Sequence, residues 1–339
     1  MNKEGLRDSG QKFWPKITVV IVNWNGEQFL ERCLTSLMDQ TVKPQEIILI
    51  DNASSDGSLG IARRFPLVRL IALDQNTGFA RGNNLAIKAA SKESTWIALI
   101  NSDAYAGPRW LESLLLAAES NPEFVAFGSK LVNEAERMQM DGAGDAYHMS
   151  GLVWRMAHGT PVSASAENEH EVFSPCAAAA LYRRSAVREV GGFDEDYFCY
   201  VEDVDLGFRL RLAGYRSLYV PNSVAYHVGS GSTGGQHSDF ALYHGHRNVV
   251  WTFVKDMPGI LFWLLLPLHV LLNLVSIGWF ALRGRGGLML RAKRDALLGL
   301  SKMWCKRQQI QKTRIASIAE IWRQLDKRII TTKPGGKRL

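Results

Sequence analysis

Four short apolar runs, each ending on polar or turn-forming residues and each followed by helical periodicity, constrain this chain more than any other feature. Ile17-Thr-Val-Val-Ile-Val-Asn23 leads into a 3.6-residue pattern of Phe29, Leu30, Cys33, Leu34 and Leu37. Glu46-Ile-Ile-Leu-Ile-Asp51, Val68-Arg-Leu-Ile-Ala72 and Trp96-Ile-Ala-Leu-Ile100 repeat the arrangement as far as residue 130. Apolar strands alternating with helices imply a parallel sheet covered on both faces. Ligands of such sheets bind outside the carboxyl ends of the strands. Here those ends include Asn23-Trp24-Asn25, Asp51-Asn52-Ala53-Ser54-Ser55-Asp56 and Asn101-Ser102-Asp103. The pattern predicts a doubly wound, mostly parallel α/β sheet with its site at those ends.

A second feature lies downstream. Tyr200-Val201-Glu202-Asp203-Val204-Asp205-Leu206, just after Gly191-Gly192-Phe193-Asp194-Glu195, packs three carboxylates into four residues beside aromatic and aliphatic side chains. Crowded ionised groups next to apolar surface are costly unless paired, solvated or used. The cluster is either a helix start, where acids favour the first turn, or a reactive site.

Composition sets the frame. The 339 residues, 46% hydrophobic and 22% charged, suffice for one large domain with an appendage or for two domains. Cys33, Cys176, Cys199 and Cys305 show no Cys-x-x-Cys pairing, which argues against a zinc site or disulfide framework and suits a reducing cytosol. Residues 1–16 contain no apolar core, so no secretory signal is expected. From Arg283 to Leu339, sixteen Lys and Arg face three acidic residues, a surplus of +13; the net +7 then leaves −6 for residues 1–282. An acidic body with a basic tail excludes a nucleic-acid groove and suits a domain held at an anionic membrane surface.

The boundaries follow: a tail over 1–15, a body over 16–256, an apolar segment over 257–282 and a basic helical tail over 283–339. Within the body, residues 133–172 are polar and glycine-rich, an insertion or second lobe. Gly229-Ser-Gly-Ser-Thr-Gly-Gly235 lacks the lysine of a phosphate-binding P-loop and reads as a mobile lid rather than a linker. The 26 residues between Asp256 and Arg283 carry no formal charge, enough for the roughly 20 that cross a bilayer. A single span would separate the body from its basic tail. Pro267, with His269 and Asn273 nearby, instead predicts a re-entrant hairpin or an in-plane helix pair. A buried core helix is the alternative.

Five ordered motifs carry a resemblance. Val19-Val-Ile-Val-Asn-Trp-Asn-Gly26, Ile50-Asp-Asn-Ala-Ser-Ser-Asp-Gly-Ser58, Asn76-Thr-Gly-Phe-Ala-Arg-Gly-Asn-Asn84, Leu99-Ile-Asn-Ser-Asp-Ala104 and Gly191 through Asp203 resemble successive signatures of the family 2 glycosyltransferases. The resemblance spans about residues 17–255, and within the family the chain is most similar to bacterial rhamnosyltransferase-like members that build surface polysaccharides. It implies a GT-A fold and inverting transfer of a sugar, rhamnose among the candidates, from a nucleotide-diphosphate donor.

The resemblance also distributes roles. It makes Asp203 the general base that activates the acceptor hydroxyl, with Glu202 supporting it, while Asp205 and Asp194 serve the fold. Asp103 matches the last carboxylate of the family's Asp-x-Asp metal motif, whose first position here is Asn101, an amide able to ligate a metal or hold a ribose hydroxyl. A divalent cation, Mg²⁺ or Mn²⁺, is the implied cofactor. His227 is a further ligand or a structural residue. Asp51 resembles the acceptor for a pyrimidine N–H, favouring UDP- or dTDP-linked donors over GDP-linked ones. Asn23, Asn25, Glu27 and Asn76 belong to the nucleotide-sugar site, and Arg81 is placed to meet base or phosphate. Asp56 either caps a helix or binds ligand, and Arg247 either clamps diphosphate or is a plain helix position.

The expected acceptor is a lipid-linked or nascent surface saccharide. The expected location is the cytoplasmic face of the inner membrane, peripheral or re-entrant, with a single span or a soluble cytoplasmic chain as alternatives. Two other classes compete. A sugar-1-phosphate nucleotidyltransferase would need basic residues after the first strand, where none precedes Arg32. A non-catalytic saccharide-binding scaffold is favoured by Asn101 alone and opposed by the intact Asp103, Asp203 and Arg81.

Overall fold

The computed structural model describes residues 13–164, 167–229, 231, 234, 235 and 237–328. Most of the tail over 1–15, the last eleven residues of the basic tail, and Ser230, Ser232 and Thr233 of the glycine-rich loop lie outside the described residues.

The strands are β1 (Ile17–Asn23), β2 (Glu46–Asp51), β3 (Val68–Ala72), β4 (Trp96–Ile100), β5 (Ala104–Ala106), β6 (Phe124–Asn133), β7 (Met140–Gly142), β8 (Asp145–Tyr147), β9 (Val153–Arg155), β10 (His170–Val172), β11 (Ala179–Arg183) and β12 (Arg216–His227). The helices of the body are α1 (Glu27–Met38), α2 (Ser58–Arg63), α3 (Gly78–Ala89), α4 (Trp110–Ser120), α5 (Arg184–Glu189), α6 (Glu202–Leu212) and α7 (Asp239–Asp256). Beyond it lie α8 (Gly259–Ala281), α9 (Gly286–Leu298), α10 (Leu300–Lys312) and α11 (Ile318–Gln324).

A ten-stranded mixed sheet runs β10-β12-β6-β11-β4-β1-β2-β3, with β5 beside β12 and β7 beside β6. The four apolar runs form its parallel half as expected. Direction reverses at β11, antiparallel to both β4 and β6, and β12 then runs parallel to β6. Because the order turns back between β1 and β4, a crevice opens at their carboxyl ends.

Alternation along β1 decides which helices cover which face. Val19 and Ile21 point to α1 and α4, where Leu30, Leu34, Trp110 and Leu114 are fully buried. Val20 points the other way, to Ala86 of α3, Val187 of α5 and Leu206 of α6. A third core joins Tyr147, Phe173 and Phe208 to Phe253, Phe262 and Met303. The C-terminal helices therefore share a core with the body, and much of the basic tail is built into the fold rather than appended.

The apolar segment corrects one expectation. Residues 259–281 form a single helix through Pro267, not a hairpin or a helix pair. Reversal there would strip hydrogen bonds from a turn on each side, whereas continuation loses essentially one. Leu261, Phe262, Leu265 and His269 of α8 are buried against the body. Its outer face presents Trp263, Leu264, Leu271, Leu274, Val275 and Trp279, each 51–65% exposed.

Candidate active site

A cavity of about 910 Å³ opens at the carboxyl ends of β1 and β4 and extends to the C-terminal helices. Six of the sequence-predicted residues line it: Asn76, Asn101, Asp103, Glu202, Asp203 and His227. Asn23, Asn25, Glu27, Asp51 and Arg81 do not, and their bonds show why. Asp51 is buried, accepting from Asn23 Nδ2 (3.1 Å), Ser54 N (2.9 Å) and Ser54 Oγ (2.7 Å). Asn25 accepts from Ser55 N at 2.8 Å. Glu27 accepts from Gly57 N (3.0 Å) while Asp56 accepts from Glu27 N (2.9 Å) and Ser58 N (3.0 Å). Glu27 and Asp56 thus cap each other's helix starts, and the capping alternative for Asp56 is the one observed. Arg81 is half exposed, 3.9 Å from Glu195.

The loop before α3 brings the third and fifth motifs together. Gly78 has φ +84, and a Cβ there would stand 2.5 Å from the Phe198 carbonyl oxygen, so only glycine fits. Asn84 donates to Phe193 O (2.8 Å) and accepts from Phe193 N (2.9 Å), pinning the Gly-Gly-Phe-Asp segment to α3.

One side of the cavity is built around His227, at the end of β12. Its Nδ1 lies 2.8 Å from Asp141 Oδ2, and its Nε2 faces Asp103 Oδ1 and Asn101 Nδ2, each at 3.4 Å. Burial opposes the imidazolium, but the flanking Asp103 and Asp141 outweigh it and hold His227 up at about 9. Burial likewise opposes the Asp103 charge, yet His227 and the Gly231 N–H (2.9 Å) keep that carboxyl below its ordinary range. The Asn101 Oδ1 is buried with no hydrogen-bond partner.

This donor set fits a divalent cation. Asp103 and Asn101 offer oxygens, the latter an orphaned one, and His227 would offer Nε2 on releasing its proton as a cation enters, with Nδ1 fixed by a carboxylate, the usual support of a metal-binding histidine. A second grouping, Asp145, Cys176 and Asp203, has ligand atoms within 4.8 Å of one another. It is a poorer set: burial pushes the Cys176 thiol well up, and Arg155 lies 3.8 Å from Asp145. Burial and the neighbouring Asp203 push Asp145 up to about 8. Arg155 also pairs with Asp141 at 2.6 Å, so one guanidinium bridges the His227 side and the Asp203 side.

The other side is the start of α6. Asp203 is half-buried and accepts from Ala177 N (3.0 Å) and Val204 N (2.9 Å), which fix its carboxylate in the cavity wall. Glu202 is buried, with Oε2 unpartnered; burial and then the Asp203 charge push its carboxyl well up. The turn feeding these residues is strained, with Phe198, Tyr200 and Val201 at φ 66, 66 and 68. Buried Asn248 of α7 holds it by donating to Tyr197, Cys199 and Tyr200 carbonyls at 2.8–3.1 Å.

Neighbouring acids have structural partners. Asp205 pairs with Arg209 (2.7 Å) and Lys255, and Asp194 with Lys255 (2.6 Å) and Lys306. Arg247 donates to Tyr197 O at 2.8 Å and stacks on Trp251, a structural position rather than a free clamp. Sequence reasoning missed Asp141, Asp145, Arg155 and Asn248. The acids of Met140-Asp-Gly-Ala-Gly-Asp145, set in a run otherwise free of charge, were the one available signal.

Comparison with known proteins identifies the family. The model of "Glycosyl transferase family 2" matches residues 18–191, just over half of the chain. The chain belongs to that family. It is a rhamnosyltransferase-like glycosyltransferase, 32% identical over 260 residues to the N-acetylglucosaminyl-diphospho-decaprenol L-rhamnosyltransferase of Mycobacterium tuberculosis, covering 71% of this chain and 84% of that protein. Solved structures show the GT-A fold. The mannosyltransferase PcManGT of Pyrobaculum calidifontis, in complex with GDP-Man and Mn2+, superposes with a TM-score of 0.54 at 16% identity, covering 92% of this glycosyltransferase and 88% of that chain. GalNAc-T7 with UDP, GalNAc and Mn2+ gives 0.57 at 18% identity, covering 72% of this chain and 48% of the other.

Proposed function

We propose that this glycosyltransferase moves a sugar, rhamnose among the candidates, from a UDP- or dTDP-linked donor to a lipid-linked saccharide with inversion at the anomeric carbon. The observation that carries this reading is the meeting in one cavity of the Asp103–His227 pair and the carboxylate of Asp203. The acceptor class is supported by the mycobacterial relative, whose name specifies a diphospho-decaprenol substrate.

Each residue has a definite task in this reading. Asp203 takes the proton from the acceptor hydroxyl as its oxygen attacks the anomeric carbon, a contribution of about 10²–10⁴-fold. The new C–O bond forms as the bond to the diphosphate breaks, on opposite faces of the sugar. A divalent cation, Mg²⁺ or Mn²⁺, held by Asp103, His227 and Asn101 would neutralise charge on the departing diphosphate. Glu202, its carboxyl pushed up by burial and by the Asp203 charge, supports the base from the adjacent position. Asp51 has about one acceptor position left for a pyrimidine N–H, since an ionised carboxylate has about four lone-pair sites and Asn23 and Ser54 occupy three. It is buried beside the cavity, so base binding requires the Ser54 turn to open toward it.

The outer face of α8 would rest in the cytoplasmic leaflet. Leu261, Phe262, Leu265 and His269 of its first half are packed on the body, which favours a helix lying along the bilayer over one that crosses it. Exposed Arg283, Arg285, Arg291 and Arg294 lie beside it to meet anionic headgroups.

A panel of UDP-, dTDP- and GDP-sugars tests the function. Turnover of a pyrimidine-linked sugar that needs Mg²⁺ or Mn²⁺ is expected. No turnover of any donor, or turnover undiminished by a chelator, would overturn the reading.

A further inference from the structure

Helix α9 turns Lys293 inward. The residue is 8% exposed and lines the cavity, yet its one described bond is to the His246 carbonyl oxygen at 2.7 Å. An ammonium carries three donors. Among the described residues no carboxylate forms an ion pair with it, and burial pushes it down to about 7 with no acidic neighbour opposing the shift. A buried, uncompensated cation is among the most costly features a fold can carry. Such a group on a cavity wall calls for an anion from outside the protein.

The surroundings say which anion. Asn273 and Ser276 of α8 line the same cavity, their donors turned back to the His269 and Leu272 carbonyl oxygens (2.7 and 2.8 Å), so Lys293 is the group here with donors to spare. Gly245 of α7 leaves open space where a side chain would otherwise project. Leu271, Leu274 and Val275, beside those polar residues in sequence, point outward and are exposed. The helix thus has a polar notch toward the cavity and an apolar face outside. A molecule with an apolar tail, a phosphate group and a sugar could lie across it, and Asp203 lines the same cavity. The donor diphosphate belongs elsewhere, at the Asp103–His227 side.

We propose that Lys293 is the cation of the subsite that receives the diphosphate of a prenyl-linked acceptor. The assignment rests on the lipid-linked acceptor reading above and adds where the phosphates sit. The lysine trades stability for an anion site, and this separates it from a lysine that serves the fold.

The test uses the full chain in detergent, with farnesyl diphosphate, inorganic pyrophosphate and farnesol as probes and UDP and dTDP as controls. The wild type is expected to bind farnesyl diphosphate more tightly than either pyrophosphate or farnesol. Lys293→Met and Lys293→Gln are expected to lose about tenfold or more of that affinity, the worth of one charge-assisted hydrogen bond, while binding the nucleotides normally. The melting temperature of Lys293→Met should hold or rise, since an unpaired buried charge is gone. Wild-type affinity for farnesyl diphosphate in both variants overturns the subsite and leaves the acceptor reading standing. Parallel loss of nucleotide binding with a lower melting temperature also overturns it, making Lys293 structural. A wild type that does not prefer farnesyl diphosphate to farnesol, and that glycosylates prenol-free saccharides, defeats both.

Discussion

The Nδ1 atom of His227 lies 2.8 Å from Asp141 Oδ2, beneath the cavity floor. This contact fixes the ring so that Nε2 faces Asp103. Asp141→Asn should therefore weaken divalent-cation affinity by roughly 10–100-fold, the usual cost of losing such an outer partner. Manganese titration of the purified variant checks this; an unchanged dissociation constant would remove Asp141 from the metal account.

Asp145 gives a pH signature. Its carboxyl is up at about 8 in the folded chain against an ordinary value of 3.8. Between these values the folded chain holds a proton that the unfolded chain has released. Its stabilising contribution is full below about pH 4 and lost as pH rises through 8. Urea midpoints from pH 5 to 9 should fall more steeply for the wild type than for Asp145→Asn, and parallel curves would contradict the assignment.

Lys255 joins Asp194 of the Gly-Gly-Phe-Asp segment to Asp205 of α6, with Lys255 and Asp205 buried and Asp194 half-buried. Lys255→Met leaves the two carboxylates sharing less positive charge and should cost about 3–5 kcal/mol. Chemical denaturation measures it. A loss below about 1 kcal/mol would mean that the network is redundant.

The outer face of α8 can be tested without disturbing its packing. Leu264, Leu271 and Val275 are exposed, so changing all three to Glu should preserve the circular dichroism spectrum. Binding to anionic vesicles should fall by roughly tenfold or more, given the ~1.5–3 kcal/mol carried by each buried aliphatic side chain. Unchanged sedimentation with vesicles would refute membrane docking through this face.

What could be read in the sequence was local. The apolar runs that became β1 to β4 announced themselves because each is short, continuous and bounded by polar turns. Asp103 and Asp203 stood out because their motifs are contiguous. Asp141, Asp145 and Arg155 did not: Asp145 and Arg155 reach the cavity, and Asp141 the back of His227, only after the segment from β7 to β9 has folded onto the sheet, a long-range event with no periodicity to betray it. Asn248 was hidden for a related reason, since its partners are backbone carbonyls of a turn some fifty residues earlier. Pro267 misled because proline usually ends a helix, and here packing of α8 against the body overrides that preference.

Single-turnover transfer from the preferred nucleotide sugar to a prenyl-diphosphate-linked saccharide, in the wild type and in Asp203→Asn, tests the central claim most directly. The account predicts a rate lowered by about 10²–10⁴-fold in the variant, with donor affinity and fold intact. Transfer by Asp203→Asn at the wild-type rate would contradict it.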